Sequence, residues 1–314
     1  MMNLVFCGTP VFAVPTLERL VNAGFAVKLV VTQPDRARGR GMELTASPVK
    51  RSALEFGLPI TQPDKIKNND EFRAAIESIA AEAIIVVGYG RIIPRWMLDL
   101  PKYGNINLHG SLLPKYRGAA PIQWAMASGE SVTGVTTMRL DAGLDSGDML
   151  MQAEEPIRPG DTAITLGARL AKTGAELMIT TLAGLINGTV HPQPQDDSKA
   201  SLAPILKKAD GLIDFSRAAT ETWNRLRGFQ PWPGAFTTFR GKTLQIHEAE
   251  PAPEVALVKP GCFVVENGRL LMGFAHGSAL EVQELQIEGK KRMGAHDFIN
   301  GYRPRSDELL GTSV

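Results

Sequence analysis

The chain has 314 residues, of which 44% are hydrophobic and 21% charged, and its formal net charge is +1. This composition is typical of a globular protein and excludes disordered, collagen-like and strongly charged classes. A chain of this length indicates two domains, each large enough to bury its own core.

Strand-like and helix-like segments alternate through the first half of the chain. NLVFCG, VKLVVTQP and LPITQP predict strands, and LERLVNAG and VKRSALEFG predict the helices between them. Next, DEFRAAIESIAAE predicts a helix, AIIVVGYG and NINLHG predict buried strands, and APIQWAMASGE predicts another helix. GVTTMRL and DMLMQAEE predict a hairpin, and a long helix follows over about 162–187. This alternation predicts a doubly wound, Rossmann-like α/β domain with a parallel sheet.

The sequence changes character after that helix. Proline, polar residues and charge replace the periodic pattern, which predicts a linker at 189–206 between a larger domain at 1–188 and a smaller one at 207–314. In the smaller domain, short strand-like runs such as GAFTTFRG, TLQIHEAE and GCFVVENG are separated by glycines. This pattern predicts a small OB-like β-barrel.

The cysteines and the apolar runs indicate the cellular compartment of the protein. Cys7 and Cys262 match no metal or redox spacing and are expected to be buried, reduced thiols. AIIVVGY, the longest apolar run, is far shorter than a membrane span, and the N-terminal segment lacks the basic region of a signal peptide. We therefore expect a cytoplasmic protein without a membrane partner.

Charge is distributed unevenly along the chain. Residues 35–51 carry a net charge of +3, and residues 207–242 and 290–305 each carry +4. Such local basic segments allow a polyanionic partner without requiring one.

The strand NINLHG places an amide and an imidazole where a ligand would bind. Asn107 and His109 are two residues apart on a strand, so their side chains point to the same face. His109 ends that strand, and open α/β sheets bind ligands beyond the carboxyl ends of their strands. At this point both a structural and a catalytic role for the pair remain open.

A second unusual segment, LDAGLDSGDML, contains three aspartates among three glycines. Its spacing does not match a calcium loop, no cysteine or histidine cluster accompanies it, and an acidic loop would repel phosphate. Asp141 and Asp148 are compatible with a solvated turn. Asp145 is the predicted carboxylate that orients and polarises His109.

Asn107, His109 and Asp145 together suit acyl transfer. An amide and a protonated imidazole can donate to an oxygen that becomes negative, and a carboxylate supports the imidazole during proton transfer. The sequence contains no G-x-S-x-G nucleophile motif, and neither cysteine is close to these residues in sequence. The nucleophile is therefore expected to belong to a substrate, and we expect it to be an amine.

NLHGSLLPKYRGAAPIQ and LDAGLDSGD resemble the signature of the formyltransferases that use 10-formyltetrahydrofolate, in which Asn, His and Asp are catalytic. FCGTPVFAVPTLERL, VVTQPDRARGRG, SPVKRSALEFGLPI and FQPWPGAFTTF are similar in particular to the members that formylate methionine on initiator tRNA. The resemblance covers nearly the whole chain. It implies a catalytic first domain, a tRNA-binding second domain, 10-formyltetrahydrofolate as co-substrate, initiator methionyl-tRNA as partner, no metal, and a monomer.

The resemblance also implies roles for individual residues. It makes Asn107, His109 and Asp145 the catalytic residues. The residues that it implies for folate binding lie in SLLP and in VVGYGRIIP: Ser111, Leu112, Leu113, Pro114, Gly88, Tyr89, Gly90, Arg91 and Ile92.

The loop at 33–47 resembles the insertion that this family applies to the acceptor stem of the tRNA. The basic residues implied for tRNA contact are Arg36, Arg38, Arg40, Lys207 and Lys208. The loop departs from one form of the family pattern, because Met42 and Glu43 stand where a pair of lysines occurs, and Arg38 partly offsets this loss.

Three alternatives remain at this stage. A formyltransferase for a small amine, such as glycinamide ribonucleotide or an amino sugar, would share the catalytic residues but would need neither the basic insertion nor the second domain. A non-catalytic RNA-binding relative would not need the intact Asn, His and Asp. A nicotinamide-binding enzyme is disfavoured because GTPVFA does not match G-x-G-x-x-G.

Overall fold

The computed structural model describes residues 2–38, 43–252 and 258–311. It divides into two compact units. Unit 1 consists of Met1–Pro121, Val132–Pro156 and Thr165–Pro204, and unit 2 consists of Ile122–Ser131, Ile157–Ile164 and Ile205–Val314.

Unit 1 is built on a seven-stranded sheet. The strands of the first half of the chain are β1 (Asn3–Gly8), β2 (Ala26–Val31), β3 (Arg36–Arg38), β4 (Glu43–Thr45), β5 (Ile60–Thr61), β6 (Ala83–Val87), β7 (Asn105–His109), β8 (Val132–Arg139) and β9 (Met149–Pro156). The order in the sheet is β5-β2-β1-β6-β7-β8-β9, and β3 and β4 form a separate antiparallel pair.

The first five strands in that order are parallel, whereas β8 and β9 extend the sheet as an antiparallel hairpin. The helices are α1 (Val14–Asn22), α2 (Pro48–Glu55), α3 (Asp70–Ser78), α4 (Arg95–Leu98), α5 (Pro121–Ala127) and α6 (Ala163–Asn187). The predicted doubly wound α/β sheet and the predicted hairpin are therefore confirmed.

Local sequence explains where α2 begins and why β6 and β7 are central strands. Ser47 caps α2 by accepting a hydrogen bond from the backbone N–H of Lys50 at 3.0 Å, and Pro48 occupies the first helical position. Every residue of β6 and β7 is buried, as expected for central strands covered on both faces. The polar side chains of β7 are therefore the exception in an apolar layer.

Unit 2 is built on a six-stranded antiparallel sheet. Its strands are β10 (Ala235–Phe239), β11 (Lys242–Ala252), β12 (Phe263–Glu266), β13 (Arg269–Gly273), β14 (Ala279–Ile287) and β15 (Met293–Gly294), and its later helices are α7 (Ala219–Gly228) and α8 (Ala295–Tyr302). The order is β10-β11-β14-β13-β12, with β15 pairing with β14. The antiparallel sheet was predicted, and its closure into an OB-like barrel stays a prediction.

The core of unit 2 is rich in aromatic side chains. Phe298 of α8 lies 5.4 Å from Phe239 and 5.7 Å from Phe263, measured between ring centroids. All three rings are buried. This cluster holds α8 against the sheet.

The segment predicted as a linker, 189–206, is attached to unit 1 at several points, although most of its residues are exposed. Residues up to Pro204 belong to unit 1, where Gln193 pairs with Met149 and Leu202 pairs with Arg117 through isolated β-bridges. The boundaries at 188 and 207 stay predictions, but residues 193–203 do not behave as a free connection.

Within the described residues, no helix is both long and apolar enough to cross a membrane.

Candidate active site

Asn107 and His109 occupy the C-terminal half of β7, between β6 and β8. Both side chains are buried, with exposed fractions of 8% and 5%. Strand alternation directs them to one face, as predicted from their spacing. The amide of Asn107 makes no side-chain hydrogen bond with any described residue, so its donors are available to a ligand.

Both ring nitrogens of His109 face oxygen atoms. Nε2 donates to the carbonyl of Tyr116 at 2.9 Å, and Nδ1 lies 3.7 Å from Oδ2 of Asp145. Burial lowers the pKa of His109, while the carboxylate of Asp145 and the carbonyl of Tyr116 oppose that shift. The resting imidazole is therefore predominantly neutral at neutral pH, yet it is surrounded by groups that stabilise the charged form.

Asp145 connects the acidic loop to the loop after β7. Its Oδ2 accepts a hydrogen bond from the backbone N–H of Gly118 at 2.8 Å. Asp145 itself has a φ of +50°, a left-handed conformation that is uncommon outside glycine. The structure thus brings Asn107, His109 and Asp145 from two separate segments towards one place, as the sequence predicted.

Asp141 has a different role in the same loop. Its carboxylate accepts hydrogen bonds from the backbone N–H of Gly143 at 3.0 Å and from the hydroxyl of Ser146. These contacts form a local turn at an exposed position. Of the three aspartates in this described loop, Asp145 is the one whose carboxylate faces the imidazole.

The SLLP segment is held from the neighbouring hairpin. Thr136 of β8 donates to the carbonyl of Ser111 at 2.7 Å and accepts from the backbone N–H of Leu113 at 3.1 Å. Gln152 of β9 donates to the carbonyl of Leu113 at 2.9 Å. Ser111 and Leu113 are buried and these backbone groups are already hydrogen-bonded, so the half-buried Leu112 and Pro114 are the more accessible of the four residues predicted to contact folate.

Residues 88–92 follow β6 at the carboxyl edge of the sheet. Gly88 and Gly90 have positive φ angles of 55° and 76°, which let the chain turn on both sides of Tyr89. The ring of Tyr89 packs in the core and is 2% exposed, whereas Ile92 is 92% exposed. Of the side chains predicted to bind folate, that of Tyr89 therefore packs in the core, and that of Ile92 is accessible.

The predicted tRNA-binding loop begins at a network of polar side chains. Asp35 forms an ion pair with Lys50 at 2.6 Å and accepts a hydrogen bond from Gln62 at 2.7 Å. These hydrogen bonds, led by that of Lys50, lower the pKa of Asp35. The loop therefore starts from a fixed position immediately before Arg36.

The five predicted tRNA contacts do not all lie within the described side chains. Arg36 is exposed on β3, and Arg38 follows on the same strand. Arg40 and Met42 lie outside the described residues. In unit 2, Lys207 and Lys208 are both exposed.

Four residues that support the site were not singled out from the sequence. They are Thr136 and Gln152, which hold SLLP, and Gly118 and Gln195, which contact the Asp145 loop. Of these four, Gly118 was the one that the sequence could have indicated, because a glycine in a loop often marks a close approach of the backbone. A Cβ at Gly118 would lie 2.6 Å from the carbonyl oxygen of Ala203. The other three side chains reach the site only through tertiary contacts.

Among the described residues, no group of three or more His, Cys, Asp or Glu side chains is arranged to hold a metal ion.

Both parts of the chain match family models. Residues 2–182 match the formyl transferase family, and residues 205–303 match the formyl transferase C-terminal domain. The methionyl-tRNA formyltransferase of Koribacter versatilis is 64% identical over 310 residues, which cover 99% of both chains. That of Acidobacterium capsulatum is 61% identical and covers 99% of this chain and 100% of the relative.

Solved structures share the fold at much lower identity. A sugar 3N-formyl transferase solved with dTDP and 5-N-formyl-THF has a TM-score of 0.67 at 19% identity, covering 93% of this chain and 99% of its own. The N-formyltransferase of Helicobacter canadensis, solved with folinic acid and dTDP-3-aminofucose, has a TM-score of 0.66 at 20% identity, covering 90% and 99%. These similarities establish the fold alone.

Proposed function

This chain belongs to the formyltransferase family, and we propose that it transfers the formyl group of 10-formyltetrahydrofolate to the α-amino group of methionine on initiator methionyl-tRNA. The product is formylmethionyl-tRNA for translation initiation. The observation that carries this proposal is the 64% identity to a methionyl-tRNA formyltransferase over 99% of both chains. The meeting of His109 and Asp145 supports it.

The proposed reaction moves one acyl group between two nitrogens. The methionine nitrogen attacks the formyl carbon, a tetrahedral intermediate forms, and the bond from that carbon to N10 of the folate breaks. The amine loses a proton and N10 gains one, so that the overall reaction balances without an added acid or base. The chain has to stabilise the oxyanion and carry the proton.

Asn107 and His109 are suited to these two tasks. The side-chain amide of Asn107 is free of partners among the described residues and can donate to the oxyanion. His109 can accept the amine proton at Nε2 once it has left the carbonyl of Tyr116 and shifted its own proton from Nε2 to Nδ1, which faces Asp145, and the imidazolium that then forms also stabilises the oxyanion. In this scheme the substrate competes with the carbonyl of Tyr116 for Nε2.

Asp145 stabilises that imidazolium. Its carboxylate lies 3.7 Å from Nδ1 and is held in place by the backbone N–H of Gly118. A carboxylate at this distance favours the charged imidazole, which lowers the cost of accepting the proton in a buried site. In this proposal the imidazole becomes charged during the reaction and then donates to the oxyanion, as expected of a protonated His109.

We assign the substrate contacts as the resemblance implies. The SLLP segment and residues 88–92 would bind the folate, with Ile92 accessible and Tyr89 supporting from the core. The basic residues of the loop after Asp35, together with Lys207 and Lys208, would contact phosphates of the acceptor stem. We also propose that the protein acts in the cytoplasm, as a monomer and without a metal.

Formylation of a small amine is the main alternative. The two solved sugar formyltransferases share the fold at about one fifth identity, whereas the tRNA-specific relatives share about three fifths. The identity therefore favours the tRNA substrate. An RNA-binding relative without activity is disfavoured by the intact catalytic residues.

The test is transfer of label from 10-formyltetrahydrofolate to methionyl-tRNA, with free methionine and a dTDP-amino sugar as competing acceptors. We expect transfer to charged initiator tRNA alone, and a roughly 100- to 1,000-fold lower rate for His109→Ala. Transfer to the amino sugar but not to the tRNA would move the function to the alternative. A His109→Ala variant with the wild-type rate would refute the assigned site.

A further inference from the structure

Gln195 binds the backbone of the loop that carries Asp145. Its side-chain NH₂ group donates to the carbonyl of Asp145 at 2.8 Å and to the carbonyl of Gly147 at 2.7 Å. One amide thus holds the loop on both sides of Ser146. Gln195 lies in the segment that the sequence pattern predicts as a linker.

The oxygen of the same amide is also used. Oε1 of Gln195 accepts hydrogen bonds from Nε and Nη2 of Arg117 at 3.0 and 2.8 Å. Arg117 in turn forms an ion pair with Asp197 at 2.7 Å. Because both donors and the acceptor of the amide are occupied, its orientation is set by four hydrogen bonds.

The loop that Gln195 holds has little freedom to adopt another conformation. Asp145 has a φ of +50°, which costs free energy for a residue with a side chain. A Cβ at Gly147 would lie 2.0 Å from the carbonyl oxygen of Arg139, so the backbone of the loop is in close contact with the end of β8. Such a conformation persists only where the surrounding contacts impose it, and the two hydrogen bonds from Gln195 are contacts of that kind.

We propose that Gln195 is a positioning residue, which holds the carboxylate of Asp145 in place beside Nδ1 of His109. Among the described residues, Gln195 forms its hydrogen bonds with Arg117, Asp145 and Gly147 and not with His109, so it acts through Asp145. Arg117 keeps the amide in the orientation that presents its donors to the loop. This inference deepens the proposed function and rests on it for its kinetic consequence, but its geometric consequence is independent of activity.

The test compares Gln195→Ala and Gln195→Glu with Gln193→Ala. Gln193 is an exposed residue of the same type in the same segment, and its pairing with Met149 uses backbone atoms only. Gln195→Glu keeps the size of the side chain but removes both donors and places a carboxylate against two carbonyls. A role in packing alone predicts that Gln195→Glu resembles the wild type, whereas positioning predicts that it is at least as impaired as Gln195→Ala.

We expect both Gln195 variants to lower kcat by about 10- to 100-fold with little change in KM, since a misplacement of ~1 Å at a catalytic group can cost that much. The control should retain wild-type kcat. In an Asp145→Asn background, Gln195→Ala should lower kcat by no more than about twofold, because residues that act through one another are not additive.

The second readout is the imidazole titration of His109, followed by NMR and assigned with a His109→Gln spectrum. If Asp145 moves away, the pKa of His109 falls in Gln195→Ala, which introduces no new charge, and stays unchanged in Gln193→Ala. An unchanged titration together with unchanged kcat would overturn the inference. A wild-type protein that does not formylate methionyl-tRNA would overturn the proposed function instead, and the titration would still decide the positioning role.

Discussion

Replacing Asp145 by Asn tests the electrostatic support of His109 with little change in shape. The carboxylate lies 3.7 Å from Nδ1 of His109, and the side-chain oxygen of Asn can still accept the hydrogen bond from Gly118. The variant therefore removes one negative charge and leaves the loop in place. We expect it to bind both substrates normally and to turn them over slowly.

The magnitude follows from the distance. Two unit charges about 4 Å apart interact by about 4 kcal/mol at an effective dielectric constant near 20. The side chain of Asp145 is 17% exposed, so solvent screening reduces this value. A remaining contribution of about 2–3 kcal/mol to the imidazolium in the transition state corresponds to a loss of roughly 30- to 150-fold in kcat.

The pKa of His109 should move in a defined direction. Burial already places this pKa below its ordinary value, and Asp145 opposes the shift, so Asp145→Asn lowers the pKa further. Because the folded-state pKa lies below the unfolded one, the unfolded chain binds the proton more readily, and stability falls as pH decreases below the unfolded value. In Asp145→Asn the folded-state pKa is lower still, so stability continues to fall down to a lower pH.

Single-turnover kinetics and imidazole NMR measure both effects, with Asp141→Asn as the matched control in the same loop. The exposed carboxylate of Asp141 caps a local turn, which Asn also does, so its kcat should stay within about twofold of wild type. An Asp145→Asn variant that keeps kcat within threefold of wild type, or leaves the pKa of His109 unchanged, would refute the electrostatic role of Asp145.

Three further predictions concern other parts of unit 1. Gly118→Ala should lower the free energy of unfolding by about 2–4 kcal/mol in a denaturant titration, since Gly118 has a φ of +127° and a Cβ there would lie 2.6 Å from a carbonyl oxygen. The control Gly57→Ala has a φ of +63° and no atom within 4 Å of the added Cβ, so it should cost only about 1–2 kcal/mol. Equal costs for the two variants would contradict the steric clash at Gly118. Lys50→Met should raise the pKa of Asp35 in a carboxyl NMR titration and so reduce the acid-induced loss of stability from this group; an unmoved pKa would show that the ion pair does not lower it. Cys7 is buried with a raised pKa, so it should react with a thiol reagent only as the protein unfolds, and fast labelling of the native protein would refute its burial.

Much of the fold could be predicted because its signals are local. The all-apolar run of β6 indicated a central strand, and VKRSALEFG indicated the helix α2. The positions of Asn107 and His109 followed from strand periodicity and from the end of β7. Each of these inferences needs only neighbouring residues.

The supports of the site could not be predicted, because they depend on contacts between distant segments. Gln195 lies 50 residues after Asp145 in a stretch whose prolines and charges resemble those of a flexible connection. A segment that is attached to a domain through hydrogen bonds to backbone groups has the same polar composition as a flexible linker. Unit 2 likewise includes residues 122–131 and 157–164, where Trp124 packs 5.3 Å from Phe229. Composition does not distinguish these cases.

The buried position of His109 explains why the supporting contacts matter for the chemistry. Burial keeps the imidazole neutral and able to accept a proton, but it also makes the charged form costly. The carbonyl of Tyr116 and the carboxylate of Asp145 offset that cost only while their loops stay in place. Ser201 accepts a hydrogen bond from the N–H of Tyr116, and Gln195 holds the loop of Asp145, so residues 193–203 fix both partners of the imidazole. Substitutions in residues 193–203 should therefore lower the rate of the reaction more than they lower the stability of the fold.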